Sequence, residues 1–324
     1  MSRGAAAGRS PRSIAVVGVG LMGRRHVDLV RRCSGARLAA VVEPEAAAVA
    51  RVDCAGAPVF ADTAAMLERI PVDGVIVATP TAHHVGPVLA ALERGVHVLL
   101  EKPVAATLAE AGQIQRAAQN AGAQVLVGHH RRHNPAAAAA KALIQQRRLG
   151  KLLGVVGQWT VRKPDSYFTE PWRQNRAAGP LLTNLAHDLD LLRFICGELE
   201  SVYAETAGAV RRSPMEDSVS VALRFRSGAL GTFFLSDAAP SPWTWEQGTG
   251  ESPLFPWSGQ NSMRFMGDRA SLEFPNLRLW RCAADHGDWT RRPQPEDIPV
   301  RAGDAFMLQL EHFCAVLRLS LIHI

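Results

Sequence analysis

The chain shows two successive rhythms, and together they predict an α/β protein. Its first part is a doubly wound parallel sheet and its second an α+β domain on an open, mainly antiparallel sheet. Three observations carry this. Over residues 13–128, short runs rich in Val, Ile and Leu alternate with helical stretches. The runs lack polar alternation, as strands covered on both faces do. After residue 128, period-two segments take over, the mark of strands with one wet face. A length of 324 residues suits two domains.

In the first part, strands are expected at 14–17, 38–42, 58–60, 75–78, 96–100 and 125–127. Helices are expected between them at 22–32, 45–52, 64–69, 85–94 and 108–121. Asp62 and Thr107 stand where N-caps belong, and Gly95 and Gly122 just past C-termini. Residues 1–12 are small, polar and basic and read as a flexible tail. The second domain is set at 129–324, with helices at 135–148 and 181–196. Val219, Val221, Leu223 and Phe225 alternate with polar or small residues, Ser227-Gly228 makes a turn, and Leu230, Thr232 and Phe234 return. That predicts an antiparallel hairpin. Further strands are expected at 154–161, 202–210, 262–266 and 270–280. The stretch 238–260, dense in Pro, Gly, Ser and Trp, is expected to form a long loop.

Composition excludes several classes. The chain is 47% apolar and 20% charged, an ordinary globular balance. The net charge of +6 invites a nucleic-acid partner, but 32 of the 36 basic residues are scattered Arg mixed with 30 acids. No basic stripe or zinc-finger spacing emerges, so no nucleic-acid partner is expected. The longest uncharged stretch, 74–92, holds two Pro, two Thr and two His, too polar to cross a membrane. Five cysteines without a CxxC pair suit a reducing cytoplasm. The N-terminus has no apolar secretory segment.

The chemistry begins at Gly18-Val19-Gly20-Leu21-Met22-Gly23, between the first strand and first helix. The first Gly allows a tight turn, the second lets a pyrophosphate reach the backbone, and the third packs helix on strand. The helix N-terminus then faces the phosphates. Glu43 ends the second strand, twenty residues after Gly23, placed to bind ribose hydroxyls. The expected cofactor is therefore NAD, since a carboxylate repels a 2′-phosphate. Arg24 and Arg25 leave NADP open.

Ligands of open α/β sheets sit beyond the carboxyl ends of the strands. The fourth strand ends there in Thr79-Pro80-Thr81, with His84 following, and the fifth in Glu101-Lys102-Pro103. Most lysines are solvated surface charges. Lys102, however, follows a buried strand directly, in a chain with only four Lys. Lys is a compact donor whose pKa can fall, which Arg is not. Lys102 is thus a candidate catalytic residue. On a helix, Asn184, His187 and Asp190 share one face at spacings of three. That suits a general acid/base whose ring is oriented by a partner, and equally a solvent-facing His on an amphipathic helix. Zinc is disfavoured, because His187 and Asp190 supply only two ligands. In the cluster of His129, His130 and His133, Arg131 and Arg132 would repel a cation. No metal is expected.

These residues resemble the glucose–fructose oxidoreductase, inositol dehydrogenase and rhizopine-catabolism (Gfo/Idh/MocA) family. The matching pieces are GVGLMGRRH at 18–26, ATPTAHH at 78–84, EKP at 101–103, GHHRRHNP at 128–135 and GPLLTNLAHDLD at 179–190. The resemblance implies an N-terminal Rossmann domain and a C-terminal sheet that often makes subunit contacts, hence a homodimer or homotetramer. It implies NAD(P)-dependent oxidation or reduction of sugars, polyols or related small molecules. Lys102 matches the lysine that touches nicotinamide ribose and substrate, and His187 the catalytic histidine. Glu101 and Pro103 match cofactor-lining residues, and His84 the histidine that opens the helix after the Thr-Pro turn. Two positions depart. Thr183 stands where many members have Asp, and Thr81 where Asn is common. Thr183 and Asn184 are then expected to give substrate neutral hydrogen bonds. Members usually run on beyond the helix equivalent to 304–319, so the apolar end at 321–324 is expected to be a truncation.

The leading function is an NAD(P)-dependent dehydrogenase or reductase acting on a CH–OH group. Lys102 stabilises the alkoxide and His187 takes the proton. The alternatives are a glycoside-cleaving enzyme that uses NAD transiently and a non-catalytic dinucleotide sensor.

Overall fold

The computed structural model describes residues 10–174, 179–208, 210–211, 215–282 and 288–319. The chain forms two compact units.

The first unit opens with β1 (Arg12–Val17), α1 (Leu21–Arg32), β2 (Ala36–Val42), α2 (Ala46–Val49), β3 (Val59–Phe60) and α3 (Thr63–Arg69). It continues with β4 (Gly74–Val77), α4 (Val85–Leu92), β5 (His97–Leu100), α5 (Leu108–Ala121) and β6 (Val125–Val127). The six strands are parallel in the order β3-β2-β1-β4-β5-β6. Alternate residues of each strand enter different cores. Ile14, Val16, Ile76 and Leu99 pack with Val27 and Val30 of α1. Ala15, Val17, Val75 and Val77 pack with Met66, Val88 and Ile114 of α3, α4 and α5. Burial on both faces is why these runs carry no polar alternation. Asp62 caps α3 through Ala65 N–H, and Thr107 with Glu110 forms a capping box on α5. Gly95 and Gly122 take positive φ past the helix ends.

The second unit begins with α6 (Pro135–Gln145) and β7 (Leu152–Arg162). A π-helical turn (Leu181–Leu185) leads into α7 (Ala186–Cys196). Then come β8 (Leu199–Ala207), β9 (Ser218–Phe225), β10 (Leu230–Ser236), β11 (Ala238–Trp243), α8 (Trp245–Thr249), β12 (Met263–Gly267), β13 (Ala270–Phe274), β14 (Arg278–Arg281) and β15 (Gln294–Asp297). The sheet runs β15-β14-β13-β12-β7-β10-β9-β8, with β11 paired to β7. Every pairing is antiparallel except β7 with β10. One face is buried under Ala137, Ala140 and Leu143 of α6 and Leu191, Leu192 and Ile195 of α7.

The structure revises several expectations. In β10 the inward residues are Phe233 and Leu235, while Leu230 and Phe234 are exposed. The register with β9 sets the phase, since Phe233 faces Val221 and Leu235 faces Val219. The segment 238–260 is not one loop: it holds β11 and α8, whose N-cap Thr244 accepts from Gln247 N–H. The single strand expected at 270–280 is two strands, and the chain turns at Leu277, φ +57°. α6 ends at Gln145, before Arg147 takes a positive φ. Arg12, assigned to the tail, begins β1 and bonds Asp73; the rest of that tail through Arg9 lies outside the described residues. The helix over 181–196 starts with a π turn, so Asn184 is not on the α-helical face of His187 and Asp190.

One difference changes the domain plan. The last helix, α9 (Ala305–Leu319), was placed with the second domain. From Phe306 onward it belongs to the first unit. Phe306, Leu310, Phe313 and Leu317 fill the core of Ile14, Val30 and Ile76. Gly74 makes room, because a Cβ there would lie 2.8 Å from the Phe313 ring. The expected truncation at 321–324 falls outside the described residues.

Candidate functional site

In the first unit, three strand ends build a cradle. Gly18 follows β1 at φ +84°, and a Cβ on it would stand 2.8 Å from Thr79 N. Gly23 sits on α1 so close to the turn that a Cβ would lie 1.8 Å from Gly18 O. Gly20 differs: a Cβ there meets no protein atom within 4 Å. No side chain caps the helix that Gly20 opens. The turn therefore packs tightly against the protein at Gly18 and Gly23 and stays open at Gly20, with Leu21 and Met22 starting the helix behind it. This is the space a pyrophosphate occupies over a helix N-terminus, so a dinucleotide fits the residues present.

Glu43, at the end of β2, accepts Val19 N–H through Oε2 at 2.9 Å and Glu45 N–H through Oε1. Its carboxylate is thus held against the glycine turn. Thr79 donates to His83 O across the short 3-10 turn Thr81–His83 that follows Pro80. Buried His84 places Nε2 2.9 Å from Thr79 O and Nδ1 3.3 Å from Val104 O. It ties the turn after β4 to the segment after β5.

Glu101 is buried at the end of β5 and precedes half-buried Lys102. His26 of α1 donates from Nε2 to Glu101 Oε1 at 2.8 Å, and Lys102 N–H reaches Glu101 Oε2 at 3.3 Å. Burial alone would raise the Glu101 pKa. The bond from His26 and the charges of His26, His130 and Lys102 outweigh it and hold the carboxyl below its ordinary value. Gly128 gives the carboxylate room, because a Cβ there would be 3.3 Å from it. Pro103 follows across a cis bond. Sequence reasoning missed His26. Its only signal was a histidine on the inward side of α1 within GRRH. It missed Phe306 too, whose ring lies under the Arg25 guanidinium at 3.5 Å and stacks on His130 at 4.0 Å. Arg25, expected near a 2′-phosphate, is engaged there.

In the second unit, half-buried His187 stands on the first turn of α7. Fully buried Arg131 pins that helix, donating to Asp188 and Glu246, both at 2.7 Å. Glu246 also accepts from Trp159 Nε1 at 2.8 Å. Burial pushes the Asp188 carboxyl up to about 7; Arg131 opposes this, but Asp188 shares it with Glu246. Asp190 is held by Arg132 through both oxygens, at 2.8 and 2.5 Å. Asp190, expected beside His187 as a catalytic residue, is thereby ion-paired to Arg132. Thr183 Oγ1 stands 3.0 Å from Gly179 O and 2.9 Å from Asn184 Oδ1. Lys163, at the end of β7 and also missed, donates to Asn184 Oδ1 at 2.9 Å. Among the described residues, no group of three His, Cys, Asp or Glu stands together to hold a metal ion. Nor, among the described residues, is any helix long and apolar enough to cross a membrane.

A doubly wound sheet with an open glycine turn and an acid at its second strand defines a dinucleotide-binding protein. The chain belongs to the Gfo/Idh/MocA oxidoreductase family. Residues 12–129 match the family's NAD-binding Rossmann domain, and residues 137–273 its C-terminal domain. Among relatives, the chain is 31% identical to 2,7-anhydro-N-acetylneuraminate hydratase of Mediterraneibacter gnavus, over 60% of this chain and 52% of that protein. It is 32% identical to inositol 2-dehydrogenase 4 of Saccharopolyspora erythraea, over 68% of this chain and 65% of that protein. The chain spans about half the length of the curated relatives it matches first. An oxidoreductase of Agrobacterium radiobacter, solved with NAD+, L-tartaric acid and magnesium, shares the fold at TM-score 0.78 and 19% identity, covering 95% of this chain and 89% of that one.

Proposed function

We propose that the protein is an NAD-dependent dehydrogenase or reductase that moves a hydride between nicotinamide and a carbinol of a sugar, polyol or related small molecule. The observation that carries this is the cradle. Gly20 is open to ligand, and Glu43 is fixed beside it as a ribose acceptor. Bound NAD supplies the hydride acceptor. In the oxidative direction the carbinol C–H breaks, and its electron pair leaves with the hydride. His187 takes the hydroxyl proton, and the C–O bond becomes a carbonyl. The Lys102 ammonium stabilises the alkoxide as charge develops. Glu101 holds the Lys102 backbone, and Thr183 and Asn184 give substrate neutral hydrogen bonds. Glu43 favours NAD over NADP by repelling a 2′-phosphate.

Support for a homo-oligomer comes from the outer face of the second sheet. There Val156, Leu230 and Phe234 are each about half exposed, apolar side chains of the kind a subunit contact would cover. Five cysteines without a CxxC pair fit a reducing, cytoplasmic compartment.

The test is a panel of sugars, inositols, hydroxy acids and sugar lactones, followed by reduced-nicotinamide absorbance with NAD and NADP separately. Net reduction of NAD by a carbinol supports the proposal. The hydratase name of one relative favours a second reading, in which water is added or removed with no net oxidation of substrate. Substrate turnover with no net reduction would select it.

A further inference from the structure

Lys163 is the most deeply placed lysine of the chain that the mechanism does not use. Its side chain is 10% exposed, and Asp237 lies 3.4 Å from its ammonium. The Trp159 and Tyr167 rings lie 5.7 and 5.0 Å away. Asp237 has a second cation, Arg211, whose Nε is at 3.0 Å. Arg211 also donates to the carbonyls of Lys163 and Asp237, closing the cluster. Arg211 thus pairs Asp237 through Oδ1, while Lys163 faces Oδ2.

What Lys163 does uniquely is meet Asn184. A carboxamide has an acceptor end and a donor end, and its surroundings decide which way it faces. An ammonium has three donors and no acceptor. With Nζ at 2.9 Å, the end of Asn184 facing Lys163 must be Oδ1. Thr183 Oγ1 lies 2.9 Å from the same oxygen and 3.0 Å from Gly179 O, and its single proton serves one of these two acceptors, so Lys163 is the donor that fixes the amide. The NH2 end makes no hydrogen bond to a described residue and is not among the buried polar atoms. Asn184 lies on the π turn that leads directly into the first turn of α7, where His187 stands.

We propose that Lys163 is a positioning residue that locks Asn184 as a one-way donor, so that this site selects substrates carrying an oxygen acceptor beside the reacting carbinol. The acceptor is a neighbouring hydroxyl, carbonyl or carboxylate oxygen. This rests on the proposed dehydrogenase reading, which brings substrate to His187. It also explains what stands in for the family's usual Asp at Thr183: an oriented amide that donates, where a carboxylate would accept.

The test compares K163M, N184A and K163M/N184A. Met nearly matches the lysine stem, and Arg211 remains to pair Asp237. Fold is checked by circular dichroism and NAD affinity by fluorescence quenching; both are expected unchanged. On the carbinol that the panel identifies, K163M and N184A should each lower kcat/KM about 10-fold, mainly through KM, the loss of about one hydrogen bond. The double variant should be no worse than either single one. Additive losses, or K163M at the original kcat/KM, overturn the proposal. A second readout needs no turnover. In protein labelled with 15N-asparagine, the Asn184 NH2 signals, assigned by their loss in N184A, should move in K163M. Unmoved signals overturn the proposal. Inactivity of the unsubstituted protein on every carbinol would count against the dehydrogenase reading, and the amide signals would still decide the role of Lys163.

Discussion

His26 Nε2 lies 2.8 Å from Glu101 Oε1, so the helix that follows the glycine turn is bonded to the residue before Lys102. Both side chains are buried, at 1% and 9% exposure. Removing His26 leaves buried Glu101 Oε1 without its donor. His26→Ala should therefore destabilise the first unit by about 3 kcal/mol. The pH dependence follows from the sign of the shift. Glu101 is held below its ordinary value, so its contribution is present above the unfolded carboxyl pKa of about 4.3. It is lost as pH falls through the lower folded value. Urea unfolding at pH 7 and pH 4 checks both. Equal stability of His26→Ala and the unsubstituted protein at pH 7 would contradict the pairing.

Asp188 predicts the opposite slope. Its folded pKa is raised to about 7, so its contribution is complete below the unfolded value of about 3.9. It is lost as pH rises through the folded one. Asp188→Asn keeps the shape and removes the titration. The variant should lose less stability than the unsubstituted protein between pH 5 and pH 8, measured by urea midpoints. An unchanged loss over that range would show that Asp188 is ionised throughout.

The two outer glycines of the turn and the middle one predict different failures. Gly20 has a negative φ, −60°, and open space beyond it. Gly20→Ala should leave stability within about 0.5 kcal/mol and weaken NAD binding at least tenfold. Gly23→Ala would drive a Cβ to 1.8 Å from Gly18 O, so the turn itself should fail. Thermal melts with NAD titrations separate the two. Tight NAD binding by Gly20→Ala would remove the cradle from the account.

Glu43 is fixed by Val19 N–H beside the turn. Glu43→Ser should narrow the preference for NAD over NADP, because the repelling carboxylate is gone. Comparing the two dissociation constants in both proteins reads this out. Tighter NADP than NAD binding by the unsubstituted protein would refute the assignment.

His187→Asn should keep the fold and NAD affinity and lower turnover by about 10²–10⁴-fold, the range for general acid/base loss. Lys102→Arg keeps the charge but not the compact shape, and turnover should fall much more than NAD affinity. Steady-state kinetics beside fluorescence quenching tests both. Full turnover in either variant would remove that residue from the catalytic assignment.

Local signals were read well from the sequence, and long-range pairings were not. Asp62 and Thr107 cap where their residue types predict, because a cap is settled within four residues. The strands of the first sheet were legible because burial on both faces leaves an unbroken apolar run. β10 was misphased because Leu230 and Phe234 are apolar on the outer face while Phe233 and Leu235 fill the inner one. Periodicity cannot choose between two apolar faces; only the pairing with β9 does. α9 looked like the end of the second domain because sequence order is all a linear pattern offers. Its partners, Ile14 and Ile76, lie over two hundred residues away. The roles of Arg131, Arg132 and Lys163 were hidden likewise: each is defined by a carboxylate or amide from another element.

The central claim is hydride transfer, and one measurement tests it most directly. A carbinol substrate from the panel, deuterated at the reacting carbon, is incubated with the protein and NAD, and the nicotinamide is examined by mass spectrometry. The account predicts one deuterium in the reduced cofactor, formed in step with the carbonyl product. It also predicts that His187→Asn and Lys102→Arg slow this formation while NAD stays bound. If substrate is consumed by loss of water or of a sugar unit while the nicotinamide pool stays oxidised, the dehydrogenase account is contradicted.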